Sequence, residues 1–408
     1  MGRRPAVNVL TVNAGSGSLK LSMFDAETSA DPAAPAWQAK LVTTDPEAGE
    51  GMAGLSLDYG GRKHRLDPLS ADTPDRFEAL WRAAQEALPE DFRDEPKVVI
   101  HRVVHGGDRF DAAVRIDDSV LQEIERWSRF APLHQAANRA GIDAARRGFP
   151  EIPHFAVFDT AFHRTLPAAA FTYAGPRSWR SRGIRRFGFH GISFRAASTR
   201  AAEMLGRAGD PSLPLILCHL GGGCSLCATV GGRSIDTTMG LTPLDGIAMS
   251  TRSGAIDPAI LIHLMRQGMR ADEIETLLNR HSGLSGLSGL PGDTRRIRPA
   301  AGDGDPDARL ALDVFIHRLR AGIGSMLASL GTLPGALVFT DTIGETEPTV
   351  RTAACEAFAF LGLTLDPALN GNAVPDCDVA TADSRVRALV IHSREAWQMV
   401  KECRPLLS

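Results

Sequence analysis

A run of apolar residues, a glycine- and serine-rich turn and a second apolar run open this chain over 7–24, and the same arrangement returns half a chain later. Residues 7–12 and 19–24 flank Asn13-Ala14-Gly15-Ser16-Gly17-Ser18, and residues 213–219 and 225–230 flank Gly221-Gly222-Gly223. Two β-rich runs joined by so short a turn form a strand pair. Sliding the chain by 207 residues sets Gly15, Ser18 and Leu19 on Gly222, Ser225 and Leu226. That echo reads as a duplicated unit with a polar turn in each half facing a shared cleft. Between and beyond the two pairs, apolar strands alternate with amphipathic helices, which makes the fold class α/β.

The remaining pattern fills in that alternation. Helices are expected over 74–88, stopped by Pro89, over 117–130, after Leu133, from the turn 188–191 to about 205, and over 307–330. Asp257-Pro258 opens another with a capping side chain and a first-turn proline. Strands are expected over 97–104, 154–158, 336–340 and 386–391, with a short helix after the last, and surface loops at 30–36 and 301–306. A long loop, 236–256, carries glycines and hydroxyls suited to lining a ligand.

Length and charge exclude several functions. The 408 residues suffice for two to three domains, each with its own core. With 45 Lys plus Arg against 48 Asp plus Glu, the net charge is -3, so no basic excess exists to neutralise a nucleic-acid backbone. No apolar run approaches the ~20 residues that span a bilayer, and the N-terminus lacks a signal-peptide pattern, so neither membrane nor nucleic acid is an expected partner and the expected compartment is the cytoplasm. Six cysteines are too sparse for a disulfide scaffold. Cys218, His219, Cys224 and Cys227 interrupt a strand and its turn without a second ligand pair at metal spacing, so reduced thiols, not zinc, are expected.

Several segments carry candidate chemistry. Asn13 to Lys20 offers backbone amides, the hydroxyls of Ser16 and Ser18 and the Lys20 cation to a phosphate, although it also reads as a plain hairpin; it lacks the Gly-Lys-Ser/Thr ending and following helix of a P-loop. Arg102 lies in His101-Arg102-Val103-Val104-His105-Gly106-Gly107, where a guanidinium beside a flexible turn can clamp carboxylate or phosphoryl oxygens; alone it reads as a surface salt bridge. Arg252 sits in the long loop. Asp159 ends the strand 154–158, at the edge where α/β sheets bind ligands. His134, His190 and His219 each adjoin an element end, and His190 heads a helix, where amides favour an anion.

Taken together these segments resemble the acetate kinases, within the acetate and sugar kinase, Hsp70 and actin superfamily. The resemblance rests on the 13–20 and 101–107 motifs, Ala131-Pro132-Leu133-His134, Phe158-Asp159-Thr160-Ala161-Phe162-His163, Gly188-Phe189-His190-Gly191 and His219-Leu220-Gly221. It continues through Asp236-Thr237-Thr238-Met239-Gly240, Thr242-Pro243-Leu244, Thr251-Arg252-Ser253-Gly254-Ala255-Ile256-Asp257-Pro258 and Ser288-Gly289, covering residues 7 to about 400. It implies two actin-like (ribonuclease H-like) domains, 1–159 with about 396–408 and about 160–395, the active site in the interdomain cleft, and a homodimer. The implied reaction is reversible phosphoryl transfer from ATP to acetate, giving acetyl phosphate and ADP with Mg2+, or Mn2+ in its place.

Carried over by position, the resemblance makes Arg102 and Arg252 the carboxylate and phosphoryl clamps, His190 the transition-state donor and His134 a second active-site histidine. Asp159 orients Arg102 or the metal, and Asn13 and Glu395 associate with the metal. Val104, Leu133, Phe189 and Pro243 form the pocket for the acyl methyl. Asn13, Ser16, Ser18, Lys20, His219, Gly221, Gly222 and Gly223 take the phosphates, and Asp293, Thr294, Arg295, Thr342, Ile343 and Gly344 take the adenosine side. The chain departs from the family at Gly222, where an asparagine is usual, at Cys224, Ile192 and Phe194, and at Asp341 and Thr342, which replace alanine and glycine. Three alternatives stay open: propionate as acceptor, which pocket size decides; pyrophosphate as donor, raised by Asp341 and Thr342; and a catalytically weakened ligand-binding or scaffold homologue, raised by Gly222.

Overall fold

A computed structural model describes residues 8–15, 17–28, 33–43, 48, 51–93, 95–130 and 132–407, without the side chains of 129 and 132–134. The chain forms two compact units, residues 1–161 with 394–408 and residues 162–393. Glu395 thus falls in the first unit.

In the first unit, β1 (Asn8–Ala14) and β2 (Ser18–Asp25) pair antiparallel across the opening turn. β3 (Trp37–Val42), β4 (Met52–Tyr59) and β5 (Arg62–Ser70) extend that side as a meander. On the other side β6 (Val98–Val103) runs parallel to β1, β8 (His154–Phe158) runs parallel to β6, and the short β7 (Val114–Arg115) closes the edge. The order is β5-β4-β3-β2-β1-β6-β8-β7.

Central strands read as continuous apolar runs because both sheet faces are covered. Phe77, Leu80 and Ala84 of the helix Arg76–Ala87 and Ala144 and Ala145 of Pro132–Gly148 cover one face, packed on Leu10, Leu21, Ala39 and Leu55. Val120, Leu121 and Ile124 of Asp118–Trp127 join Val103, Ala156 and Phe158 in a second cluster. Trp397 of the helix Glu395–Cys403 meets Phe24 with ring centroids 5.6 Å apart, docking the chain's C-terminal helix on the first unit.

The second unit repeats the plan. β9 (Pro214–Leu220) and β10 (Cys224–Val230) pair antiparallel, and β11 (Arg233–Thr237) extends them. β12 (Ala336–Thr340) and β14 (Arg387–Val390) add in parallel on the β9 side, and β13 (Cys377–Asp378) closes the edge. The order β11-β10-β9-β12-β14 has the same directions as β3-β2-β1-β6-β8, so the 207-residue echo marks a repeated fold unit. Phe194, Ala197 and Ala201 of Gly191–Met204 pack on one face of this sheet. The long helix Pro306–Leu330 lies against β10, and a Cβ at its Gly322 would come within 2.5 Å of Leu226, so glycine sets that close approach.

Two loop expectations change. Residues 301–302 end the helix Thr294–Gly302, with Ala301 only 6% exposed, because the helix Pro306–Leu330 packs over them; residue 306 begins that long helix. The loop expected from 236 begins after Thr237, because β11 pairs with β10 through Asp236 and Thr237. Residues 30–32 of the expected 30–36 loop and the expected strand start at 7 lie outside the described residues.

Candidate active site

The first unit gathers one set of candidates at the C-terminal ends of β1, β6 and β8. Parallel register pairs Val12 with His101 and Val103 with Phe158, so Asn13, Arg102 and Asp159 emerge side by side. Arg102 donates two hydrogen bonds to Asp159, Nε to Oδ1 at 3.0 Å and Nη2 to Oδ2 at 2.6 Å, a bidentate fork that fixes the guanidinium plane. Its Nη1 donates to Asn13 Oδ1 at 3.2 Å and lies 4.0 Å from Glu395 Oε2. The Asp159 side chain is 1% exposed and that of Arg102 17%, so the carboxylate anchors and the guanidinium faces outward. Lys20 stands opposite Asn13 on β2, and Ser18 closes the turn by accepting at its carbonyl from Gly15 N–H at 2.8 Å.

The 101–107 segment is built for close approach. A Cβ at Gly106 would meet the Phe158 ring at 2.7 Å, and one at Gly107 the Trp127 ring at 2.1 Å, with φ +63° there. Asn138 ties this segment to the opening turn, accepting from Val104 N–H at 2.8 Å and donating to Ala14 O at 2.6 Å. Val104 is 8% exposed. Ser16 and the side chains of Leu133 and His134 lie outside the described residues.

Whether this set suits a divalent cation is a question of charge and unmet valence. Two carboxylates, Asp159 and Glu395, face one guanidinium, and buried Glu395 Oε1 has no hydrogen-bond partner among the described residues. With Asn13 Oδ1 this is a hard oxygen donor set, which fits Mg2+ better than softer ions. No cluster of three or more His, Cys, Asp or Glu side chains positioned to hold a metal occurs among the described residues. Two protein oxygens suffice for an ion that keeps waters and phosphate oxygens.

The second unit gathers the other set around the Gly221-Gly222-Gly223 turn. His190 is the N-cap of Gly191–Met204, in a left-handed conformation (φ 58°, ψ 22°), and its Nδ1 lies 2.8 Å from Ser225 Oγ. His219, at the end of β9, places Nδ1 2.8 Å from Ser193 Oγ and Nε2 3.0 Å from Asp341 Oδ2. The two imidazoles stack with centroids 4.0 Å apart. Arg252 Nη1 donates to Pro243 O at 2.7 Å, so this proline contributes its carbonyl to the cluster. A Cβ at Gly223 would lie 2.6 Å from Arg252 Nη2 and 3.1 Å from His190 Nε2, so both donors converge on one glycine.

The loop that holds Arg252 is braced through its backbone. Arg186 Nη1 donates to the carbonyls of Thr237, Thr238 and Met239 at 2.7 to 3.0 Å. Met249 N–H donates to Arg252 O, and Ser253 N–H to Leu278 O. Phe189 is 1% exposed and accepts at its carbonyl from His163.

Burial raises the Asp341 carboxyl pKa, but the charge and hydrogen bond of His219, with hydrogen bonds from Thr342, outweigh it and hold the group at about 2. Thr342 is exposed and donates to Asp341 Oδ1 at 3.3 Å, whereas Ile343 and Gly344 pack inward. Asp293 caps Thr294–Gly302 and takes the Arg295 guanidinium bidentately, and Thr294 donates to Glu347. Cys224 is buried, which pushes its thiol up to about 12, and Cys227 is raised for the same reason. Ile192 and Phe194, departures from the family pattern, are 1% and 0% exposed and belong to the core.

Sequence reasoning passed over Ser193, Arg186 and Asn138, and valued Ser225 only as part of the echo. Their roles depend on contacts 26 to 124 residues away, which no local pattern reports. Each set supplies fixed cationic or donor groups next to a glycine-lined approach, an arrangement that can orient an anion and neutralise charge developing on it.

A model of the acetokinase family matches residues 8–401. An acetate kinase from Gloeobacter violaceus is 47% identical over 406 residues, covering 97% of this chain and 98% of its own. Among solved structures, a propionate kinase from Francisella tularensis aligns with a TM-score of 0.86 and 32% identity, over 97% of this chain and 98% of that one. An acetate kinase from Porphyromonas gingivalis aligns with a TM-score of 0.85 and 32% identity, over 99% and 100%.

Proposed function

The chain belongs to the acetokinase family, and from that membership we propose that it transfers the terminal phosphoryl group of ATP to a carboxylate oxygen of acetate, reversibly, giving acetyl phosphate and ADP. The new bond joins the acetate oxygen to phosphorus, and the bond broken joins phosphorus to the bridging oxygen that leaves with ADP. Acetate arrives ionised, so no general base is required; the protein's work is alignment and offsetting charge on the transferring group.

Arg102, its plane fixed by Asp159, holds the carboxylate, and Val104, Leu133, Phe189 and Pro243 shape the pocket for its methyl. Arg252 and His190 donate to the equatorial phosphoryl oxygens as charge spreads over them, with Ser225 holding the imidazole. His134 is the second histidine of the site. The turns at 13–20 and 219–223 take the phosphates, and 293–295 with 342–344 the adenosine side. Mg2+ is the proposed divalent ion, with Mn2+ as its substitute, held by Glu395 and Asn13, and when bound it offsets phosphate charge.

The observation that carries this reading is the convergence of Arg252 and His190 on Gly223, two donors and no side chain between them. The test traps acyl phosphate as its hydroxamate with ATP or pyrophosphate as donor and acetate or propionate as acceptor. ATP with acetate and Mg2+ is expected to give product. Product with pyrophosphate alone replaces the donor, and no product with either overturns the reading. Arg252→Ala is expected to lower turnover by about two to three orders of magnitude, the effect of removing one preorganised charge donor.

A homodimer is proposed as well. The helix Pro258–Arg266 buries none of its residues, and Ile262 and Met265, three positions apart on one side of it, are 51% and 50% exposed, apolar surface that a second copy would cover. Sedimentation of wild type and Ile262→Asp checks this, and a wild-type monomer overturns it. The proposed compartment is the cytoplasm, in keeping with six cysteines that remain thiols.

A further inference from the structure

Two non-glycine residues among those described have a left-handed backbone, and both stand in the second-unit cluster: His190 at φ 58° and Asp341 at φ 65°. Such a conformation persists only where the surroundings over-determine it, and it concentrates at functional sites. Around Asp341 the surroundings do so. Its N–H donates to Glu345 Oε1 at 3.1 Å, and buried Arg351 donates to the carbonyls of Gly344 and Glu345, clamping the short helix Asp341–Thr346.

The side chain so placed reaches His219. Asp341 Oδ2 accepts at 3.0 Å from Nε2, and Ser193 Oγ lies 2.8 Å from Nδ1, so both ring nitrogens are engaged and the ring plane is fixed. Glycine at 221 makes room for this pair, since a Cβ there would lie 2.0 Å from Asp341 Oδ2. The His219 ring then forms the surface on which His190 stacks, at 4.0 Å between centroids and 29° between planes. His190 is also held through Nδ1 by Ser225.

We propose that Asp341 is a positioning residue for phosphoryl transfer: it holds the proton on His219 Nε2 and fixes the plane of that ring, and His219 in turn braces the plane of His190, the donor to the transferring group. The carboxylate therefore acts through two rings and does not itself contact substrate. In place of the phosphate contact proposed above for His219, this gives that residue a supporting role, because its Nε2 is engaged by Asp341. The assignment rests on the acetate kinase reading for its kinetic consequence, though not for its geometry.

The test compares wild type, Asp341→Gly and Asp341→Asn, each labelled with 15N-histidine. Glycine adopts φ 65° without strain and asparagine tolerates it, so both variants keep the backbone. Asparagine also keeps an oxygen that accepts from Nε2–H. The glycine variant is expected to lose about tenfold in kcat, at the low end for removing a partner that orients a working histidine. Its KM for acetate should stay within about twofold of wild type, since acetate binding is untouched. Its His219 nitrogen shifts should lose the wild-type preference for a proton on Nε2, and Asp341→Asn should restore both kcat and that preference. Wild-type kcat in Asp341→Gly, unchanged His219 nitrogen shifts, or an asparagine variant as slow as the glycine variant overturns the proposal. A wild type that forms no acyl phosphate overturns the activity reading instead, and the nitrogen shifts still decide whether Asp341 fixes the ring.

Discussion

Gly223→Ala tests the convergence of the second-unit donors with the smallest change available. The φ at Gly223 is not left-handed, so alanine meets no backbone penalty, and the effect is steric. The added methyl would lie 2.6 Å from Arg252 Nη2 and 3.1 Å from His190 Nε2, against at least 3.4 Å for ordinary contact. The guanidinium is the far end of a flexible side chain, so it yields by a little under 1 Å at little cost, and stability should change by no more than about 1 kcal/mol. Catalysis has no such tolerance: a displacement of roughly 1 Å in a positioning group costs about a hundredfold, close to 2.7 kcal/mol of barrier. The assay is hydroxamate-trapped turnover at saturating ATP and acetate, with thermal unfolding of the same preparations. A variant that unfolds with the wild type and turns over within about threefold of it would refute the reasoning, because Arg252 or His190 would then not need its present place.

Three further outcomes are expected. Val104→Ala should shift relative kcat/KM from acetate toward propionate, an added methylene in an apolar pocket being worth roughly 1 to 3 kcal/mol, and an unchanged ratio removes Val104 from the pocket. Burial lowers the pKa values of His101, His154 and His163, the last to about 4, so these rings stay neutral when folded. The unfolded chain binds their protons near pH 6.5, so stability should fall as pH drops through that value, His163 alone losing about 2 kcal/mol by pH 5. Urea midpoints that do not move between pH 7 and 5 would contradict this. Gly324→Ala, in the interior of Pro306–Leu330 with nothing within 4 Å of the new methyl, should raise stability by up to about 1 kcal/mol in the same urea assay.

What the sequence determined by itself was local. Apolar runs around a Gly/Ser turn have few ways to fold other than as a strand pair, so β1, β2, β9 and β10 were legible, as was the helix after Asp257-Pro258, where Asp257 accepts from Ala259 N–H. The residue types at 102, 159, 190 and 252 were legible for the same reason: chemistry limits which side chains can clamp an anion. The meander β3–β5 was not. Its edge strand, Arg62–Ser70, faces solvent, carries four charged residues and a proline, and needs no apolar pattern because an edge pairs on one side only.

Only the tertiary structure decided which of the chemical residues meet. Arg102 and Asp159 are 57 residues apart and join because β6 and β8 run parallel with Val103 opposite Phe158. His219 and Asp341 are separated by more than a hundred residues and join because β12 aligns Thr340 with His219. A shift of one residue in either register would send these side chains to the opposite face. Strand register is fixed by the packing of whole sheet faces, which is a property of the assembled core and of no single segment of the chain.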